Sequence, residues 1–360
     1  MMKVAMIGCG GIGEYHLSHL TTFGDIAQLA SFCDLILERA EKFAQETGGG
    51  AMAYTDFRVM LDEVKPDAVF VCVPPYCHGE IEEELINRNI DFFVEKPLTL
   101  DMELAKSIEK RVAEKGLVTA VGFQCRYDML AEHIKEFVRQ NPIPFVDCTR
   151  FGSIPEVFWW KDKKLSGGED IGYVGEVKEQ TIHQLDYIRY VLGEPETVFS
   201  MAARGFVEAV DGYDTDDLSA TVVRFENGAL ATIGTGCYAE SGDAFDSKTV
   251  FSAKDKRGEM KLLDTFEIFG GQQQEENEIG NLVVKGDGGL SSASKNGLVY
   301  QNEGDPGFLC DRTFLEAVLS RDQSKIRSTY SDALKTLAFG LACNKSMETA
   351  LPVHVQDLLK

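Results

Sequence analysis

Apolar and polar positions fall into blocks along the first third of the chain. Residues 3–7, 68–73 and 90–94 are short, near-continuous apolar runs, the pattern of parallel strands buried on both faces. Residues 26–33 and 117–121 read the same way. Helix-length stretches lie between these runs, at 14–23, 79–89 and 101–116, the last opened by Asp101 as a cap. The alternation predicts a doubly wound parallel sheet, an α/β Rossmann domain, over residues 1–121. After Gly122 the strands lengthen and alternate in polarity, at 145–152, 197–206, 218–225, 229–238 and 250–269. Asn227-Gly228 predicts a type I′ hairpin turn. A helix at 178–192 interrupts these strands. Residues 270–296 are polar and glycine-rich, which predicts a hairpin or loop excursion. Helices at 311–319 and 332–348 close the chain. Residues 122–360 are thus expected to form an α+β domain on a large, mainly antiparallel open sheet.

The first turn carries a phosphate-binding pattern. GCGGIG places Gly8, Gly10 and Gly13 at Gly-x-Gly-x-x-Gly spacing between a strand and a helix. Gly8 permits the tight turn, Gly10 lets a pyrophosphate approach the backbone, and Gly13 lets the helix lie close to the sheet. Gly11 and Ile12 lie within the same loop, just before that helix, whose free N–H groups attract phosphate. The second strand ends at Asp34, about 20 positions past the last glycine, where a carboxylate suits the ribose hydroxyls of NAD and repels the extra phosphate of NADP. NAD is therefore favoured over NADP, although Arg39 is near enough in sequence to reach back.

Charge narrows the partners. The chain has 360 residues and a formal net charge of −22, which disfavours nucleic acid and anionic membranes. It has no apolar run long enough to span a bilayer, so no membrane partner is expected. Nine scattered cysteines without a Cys-x-x-Cys pair read as buried thiols of a reducing cytoplasm, not as a disulfide or metal framework, and no metal site is expected.

Two residues stand out for proton chemistry. Lys96 ends a strand at the edge where open α/β sheets bind ligands, and Pro97 forces the chain to turn there. Burial and a nearby oxidised nicotinamide would both lower its pKa, making it a usable base. A solvated lysine at a strand end is the plainer alternative. Glu179, His183 and Asp186 share one helix face, where a carboxylate can orient the imidazole. An ordinary ion pair on that helix face is the alternative there.

Several segments in order resemble the Gfo/Idh/MocA family of NAD(P)-dependent oxidoreductases: GCGGIG with His16 soon after, VFVCVPPYCHGE, FFVEKPLTL, VGFQCRYD, GGEDIGYVGEVKEQTIHQLD and DTDDLSATVVRFENGALATI. The resemblance implies hydride transfer between NAD(H) and a secondary alcohol of a sugar, sugar acid or cyclitol. Lys96 and His183 would handle the proton, with Glu179 standing where many members have aspartate. Pro74, His78, Glu95 and Lys96 would line the nicotinamide side, with the Lys96–Pro97 bond cis. Arg126, Tyr127, Trp160, Asp186 and His183 would face a small polyol substrate. His16 reads as packing, and His19, His133 and His354 as surface or structural. Similar proteins assemble through the open sheet, so a homodimer or homotetramer is expected. Two further readings remain: an NAD-retaining, glycosidase-like enzyme that works by transient oxidation, and a non-catalytic dinucleotide-binding sensor.

Overall fold

The computed structural model describes residues 1–153, 161–167, 181–206, 214–239, 246–261, 264–270, 275–276, 282–283 and 298–360. The first unit runs β1 (Met2–Ile7), α1 (Gly11–Leu20), β2 (Ala27–Cys33), α2 (Leu37–Glu46), β3 (Met52–Tyr54), α3 (Phe57–Val64), β4 (Ala68–Val71), α4 (Glu80–Arg88), β5 (Asp91–Val94), α5 (Met102–Lys115) and β6 (Thr119–Val121). Its six strands are all parallel, in the order β3-β2-β1-β4-β5-β6. The order reverses between β1 and β4, which opens a crevice beyond their carboxyl ends. The pleat sorts the side chains. Val4, Met6, Phe70 and Phe93 join the core under α1 and α2. Ala5, Ile7, Val69, Val71, Phe92 and Val94 join the core under α3, α4 and α5. Covering both faces is why these strands read as unbroken apolar runs. Asp101 caps α5, accepting from the backbone N–H groups of Glu103 and Leu104.

The second unit contains α6 (Met129–Gln140), β7 (Phe145–Ser153), α7 (Lys163–Ser166), α8 (Thr181–Leu192), β8 (Pro195–Ala203), β9 (Leu218–Phe225), β10 (Leu230–Ala239), β11 (Asp246–Ser252), β12 (Lys256–Lys261), β13 (Thr265–Gly270), the short pair β14 (Glu275–Glu276) and β15 (Leu282–Val283), β16 (Leu298–Gln301), α9 (Pro306–Ser320), α10 (Tyr330–Thr349) and β17 (Val353–His354). Nine strands form one sheet, β16-β13-β12-β11-β7-β10-β9-β8-β17, in which only the β7–β10 pair is parallel.

Three local expectations change. The strand expected at 250–269 is divided among β11, β12 and β13. Helix α6 replaces the strand-rich pattern expected just after Gly122; its buried Leu130, Ala131, Ile134 and Phe137 recur at helical spacing. The β9–β10 turn is not type I′, because only Gly228 of its residues has positive φ. The Gly228 N–H bonds the Phe225 carbonyl, and the Phe225 N–H bonds Ala229, closing a three-residue loop with glycine at the left-handed position.

The C-terminal helices return to the first unit. Phe314 of α9 packs edge-on against Phe70 at 5.5 Å and Phe93 at 5.9 Å between ring centroids. Its partners Cys310 and Leu315 enter the same core as α1. Leu337, Ala338 and Phe339 of α10 lie in the core that runs from the parallel sheet to β8 and β9. The cofactor-type sheet is therefore completed by residues some 200 positions downstream of its last strand (order of magnitude).

Candidate active site

The crevice is built from the chain turns that follow β1, β4, β5 and β6. Gly8 sits at φ +97°, and a Cβ there would lie 2.2 Å from the Cys72 carbonyl oxygen. A Cβ on Gly13 would lie 2.5 Å from the Gly8 carbonyl oxygen, so both positions require glycine. A Cβ on Gly10 or Gly11 would meet nothing within 4 Å. Backbone is thus exposed at the start of α1, beside Ile12, where a pyrophosphate needs to approach. The Asp34 carboxylate, at the end of β2, accepts from the Cys9 N–H at 2.8 Å and the Ile36 N–H at 2.9 Å. Both bonds hold it beside the glycine loop, and each oxygen keeps a lone pair for a ribose hydroxyl. These residues fit a dinucleotide.

Glu95 and Lys96 follow β5, and both are buried. The Lys96–Pro97 bond is cis. Lys96 Nζ lies 3.5 Å from Glu95 Oε2. Burial pushes the Lys96 amine below its usual range, against the pull of Glu95. Burial works to raise Glu95, but Lys96 and a hydrogen bond from His16 outweigh it and hold the carboxylate low. The pair is asymmetric because Glu95 has two basic partners, Lys96 and His16.

His183 lies on α8 with its ring edge-on to Phe123, 5.9 Å between centroids. It is 1% exposed, and neither ring nitrogen has a hydrogen-bond partner among the described residues. Burial, then the charges of Lys96 and Arg150, push its pKa well down. The imidazole is therefore neutral, with a donor and an acceptor to offer. Arg150, buried on β7, is a residue that the sequence did not single out; its charge acts on His183.

Other expected site residues are placed as follows. Arg126 Nε donates to Asp186 at 2.7 Å, its Nη2 completes a fork on the same carboxylate, and its Nη1 reaches Asp332 and the Arg327 carbonyl. Asp186 also accepts from Thr336 at 2.6 Å. The Tyr127 hydroxyl accepts from the Arg327 N–H at 2.8 Å. These three side chains bind the turn after β6 to α8 and α10. Pro74 begins the turn after β4. His78 is buried with Nδ1 2.7 Å from Glu82, whose other oxygen accepts from the Gly79 N–H at the start of α4. Glu179 and Trp160 lie outside the described residues.

One constellation went unread in the sequence. His16 and His19 are both buried, and the Nδ1 atoms of both face Asp311 of α9, at 2.9 and 2.8 Å. His19 is thus no surface residue. The legible signal was two histidines at i and i+3 on the helix after the glycine loop; their partner lies far along the chain. The cysteines are free thiols, and Cys9 and Cys33 are pushed up to about 12 by burial and by Asp34. That marks neutral, structural thiols.

Comparison with known proteins agrees with this fold. The profile of the GFO_IDH_MocA oxidoreductase family, NAD-binding Rossmann fold, matches residues 2–123, and that of the GFO/IDH/MocA C-terminal domain matches residues 153–270. A scyllo-inositol 2-dehydrogenase (NAD(+)) of Bacillus subtilis is 29% identical over 239 residues, 64% of this chain and 66% of that protein, just under two thirds of its length. A myo-inositol 2-dehydrogenase of Thermotoga maritima is 25% identical over 99% of this chain and 100% of its own. The WlbA dehydrogenase from Bordetella pertussis, solved with NADH and UDP-GlcNAcA, shares the fold at TM-score 0.76 and 17% identity, covering 98% of each chain. Among the described residues, no helix is long and apolar enough to cross a membrane.

Proposed function

The chain belongs to the Gfo/Idh/MocA oxidoreductase family, and from that premise we propose that it is a dehydrogenase moving a hydride between NAD(H) and a secondary alcohol of a sugar, sugar acid or cyclitol. One observation carries the reading. A buried lysine with a lowered pKa and a neutral histidine without a partner among the described residues sit close enough to influence each other, at the crevice that the glycine loop opens. Such a pair suits a substrate hydroxyl that must lose its proton. Polyol-type names among the relatives support the substrate class.

The glycine loop from Gly8 to Gly13 and Asp34 would hold the cofactor, with Pro74, His78 and Glu95 toward its nicotinamide end. Bound there, NAD supplies the hydride acceptor. Once deprotonated, which its lowered pKa favours, Lys96 would accept the hydroxyl proton at Nζ. His183 hydrogen-bonds the same hydroxyl and fixes which C–H faces the cofactor. The Arg126–Asp186 pair acts on α8 and so on the position of His183; Arg126, Tyr127 and Asp186 would bear on substrate through that support. NAD is favoured over NADP by the Asp34 carboxylate, with Arg39 close enough to the loop to influence Cys9.

The test is absorbance of NADH with purified protein, NAD or NADP, and a panel of cyclitols, aldoses, sugar acids and nucleotide sugars. A signal with one compound class supports the reading and names the substrate. Bound NAD with silence across the panel would sink it. A net glycosidase reaction without NADH accumulation would replace it with transient oxidation.

The nine-stranded sheet presents Phe145, Phe199, Met201, Val222, Leu230 and Val250 on the face away from α6, α8 and α10, with Met201 66% and Val222 50% exposed. Asp147, Arg224 and Thr232 stand among them on the same face, and its exposed apolar side chains are the part that calls for cover. Light scattering should return a multiple of the 39.8 kDa chain mass, two or four copies. A monomer refutes the assembly.

A further inference from the structure

The dehydrogenase reading uses Lys96 and His183 and gives no task to His16, His19 or Asp311, although all three are buried. They form a ladder toward Lys96. Asp305, at the start of α9, has a part-exposed carboxylate that takes a bond from Tyr15 at 2.7 Å and lies 3.1 Å from His19 Nε2. His19 Nδ1 faces Asp311, and Asp311 faces His16 Nδ1. His16 Nε2 is 3.0 Å from Glu95 Oε1, and Glu95 Oε2 is 3.5 Å from Lys96 Nζ. A Cβ on Gly122 would stand 2.1 Å from Glu95 Oε1, so the carboxylate lies flat against bare backbone.

We propose that His16 and Asp311 are positioning residues that hold Glu95 in place and share its charge with Lys96, thereby setting the protonation of the lysine. The geometry of His16 carries the argument. Each ring nitrogen faces a carboxylate oxygen, and an ionised carboxylate only accepts. A neutral imidazole has one N–H and would turn a lone pair on one of the two anions, so His16 must be imidazolium. Burial alone opposes that charge, but Asp311 and Glu95 outweigh it and raise His16 to about 10. Among the described residues the charged groups facing His16 are Asp311 and Glu95, with His19 on the same Asp311 carboxylate and the rings of Tyr15, Phe70 and Phe93 beside it. Around Lys96, among the described residues, the titratable groups include Glu95, Cys125 and His183.

While His16 is charged, Glu95 divides its attraction between two cations. Without that charge Lys96 is the one cation left beside Glu95 among the described residues, and it keeps its proton to higher pH. Asp311→Asn acts the same way, because His16 then loses the anion that keeps it charged. Glu95→Gln acts oppositely.

The functional consequence rests on Lys96 being the base of the dehydrogenase, so the test reads the lysine directly. In NAD-free protein, the pH dependence of Lys96 labelling by trinitrobenzenesulfonate is followed by peptide mass spectrometry. His16→Gln and Asp311→Asn should each move the midpoint upward, by roughly one pH unit, and Glu95→Gln should move it downward. Unmoved or reversed midpoints overturn the proposal. If the variants do not fold, wild-type protein with 15N-labelled histidine decides. At least one of its six imidazoles should remain doubly protonated at pH 9; six neutral rings, as a cation held between His16, His19 and Asp311 would favour, overturn it. Absence of turnover on every polyol would sink the dehydrogenase reading and leave these titrations standing.

Discussion

Lys96→Ala protein should bind NAD within a few-fold of the wild-type affinity and lose about 10²–10⁴ in kcat, the range that a positioned general base contributes. The asymmetry follows from location. The groups fitted to the dinucleotide are backbone at Gly8, Gly10 and Gly13 and the Asp34 carboxylate, none of which contacts the Lys96 side chain in the interactions described above. Lys96 faces Glu95 and influences His183, where the hydroxyl proton would move. Lys96→Arg sharpens the test. It keeps a cation at the site, but a guanidinium does not deprotonate in the working range. If Lys96 served only as a fixed positive charge, Lys96→Arg would retain much of the rate. As a base, it should be nearly as slow as the alanine variant, with kcat and kcat/KM falling together. Isothermal titration with NAD and initial rates on the best substrate separate these cases. Equal losses of NAD affinity and kcat in Lys96→Ala would remove Lys96 from the proton step.

What could be read from the sequence was what is local along the chain. The parallel sheet announced itself because strands covered on both faces need apolar residues at consecutive positions, as in β4 and β5. The glycine loop, Asp34 and Lys96 were legible because strand ends, turns and spacings fix their place within a few tens of residues. Helix α6 was missed because its apolar stripe of four residues lies among charged ones, just where the chain changes from one pattern to another. The hairpin turn was misread because Asn-Gly suits both a two-residue and a three-residue loop, and the strand register decides between them. The ladder behind Lys96 was invisible for a deeper reason. Its middle member, Asp311, lies 295 positions from His16, and only the return of α9 onto the parallel sheet joins them. The same limit applied to Arg126. Its place after β6 was legible, but its partners come from α8 and α10.

Those partners make Arg126→Leu the substitution with the largest expected effect on stability. Arg126 and Asp186 are each about 1% exposed and joined by a two-pronged contact. Taking the cation away leaves Asp186 buried with Thr336 as its remaining donor among the bonds described. Breaking such a pair from one side costs about 3–5 kcal/mol, because the surviving charge stays out of water. The Asp332 contact adds less, since that carboxylate is 34% exposed and water can take over its solvation. The double variant Arg126→Leu with Asp186→Leu removes both charges and should recover part of the loss, giving a coupling of at least 1 kcal/mol by the order of such cycles. Thermal melting of the single and double variants measures this. A direct substrate contact predicts the opposite pattern: a melting temperature near wild type and a raised KM. The buried fork argues for the first pattern. Loss of Arg126 should lower kcat through a displaced α8 and His183, and the double variant should restore stability ahead of activity.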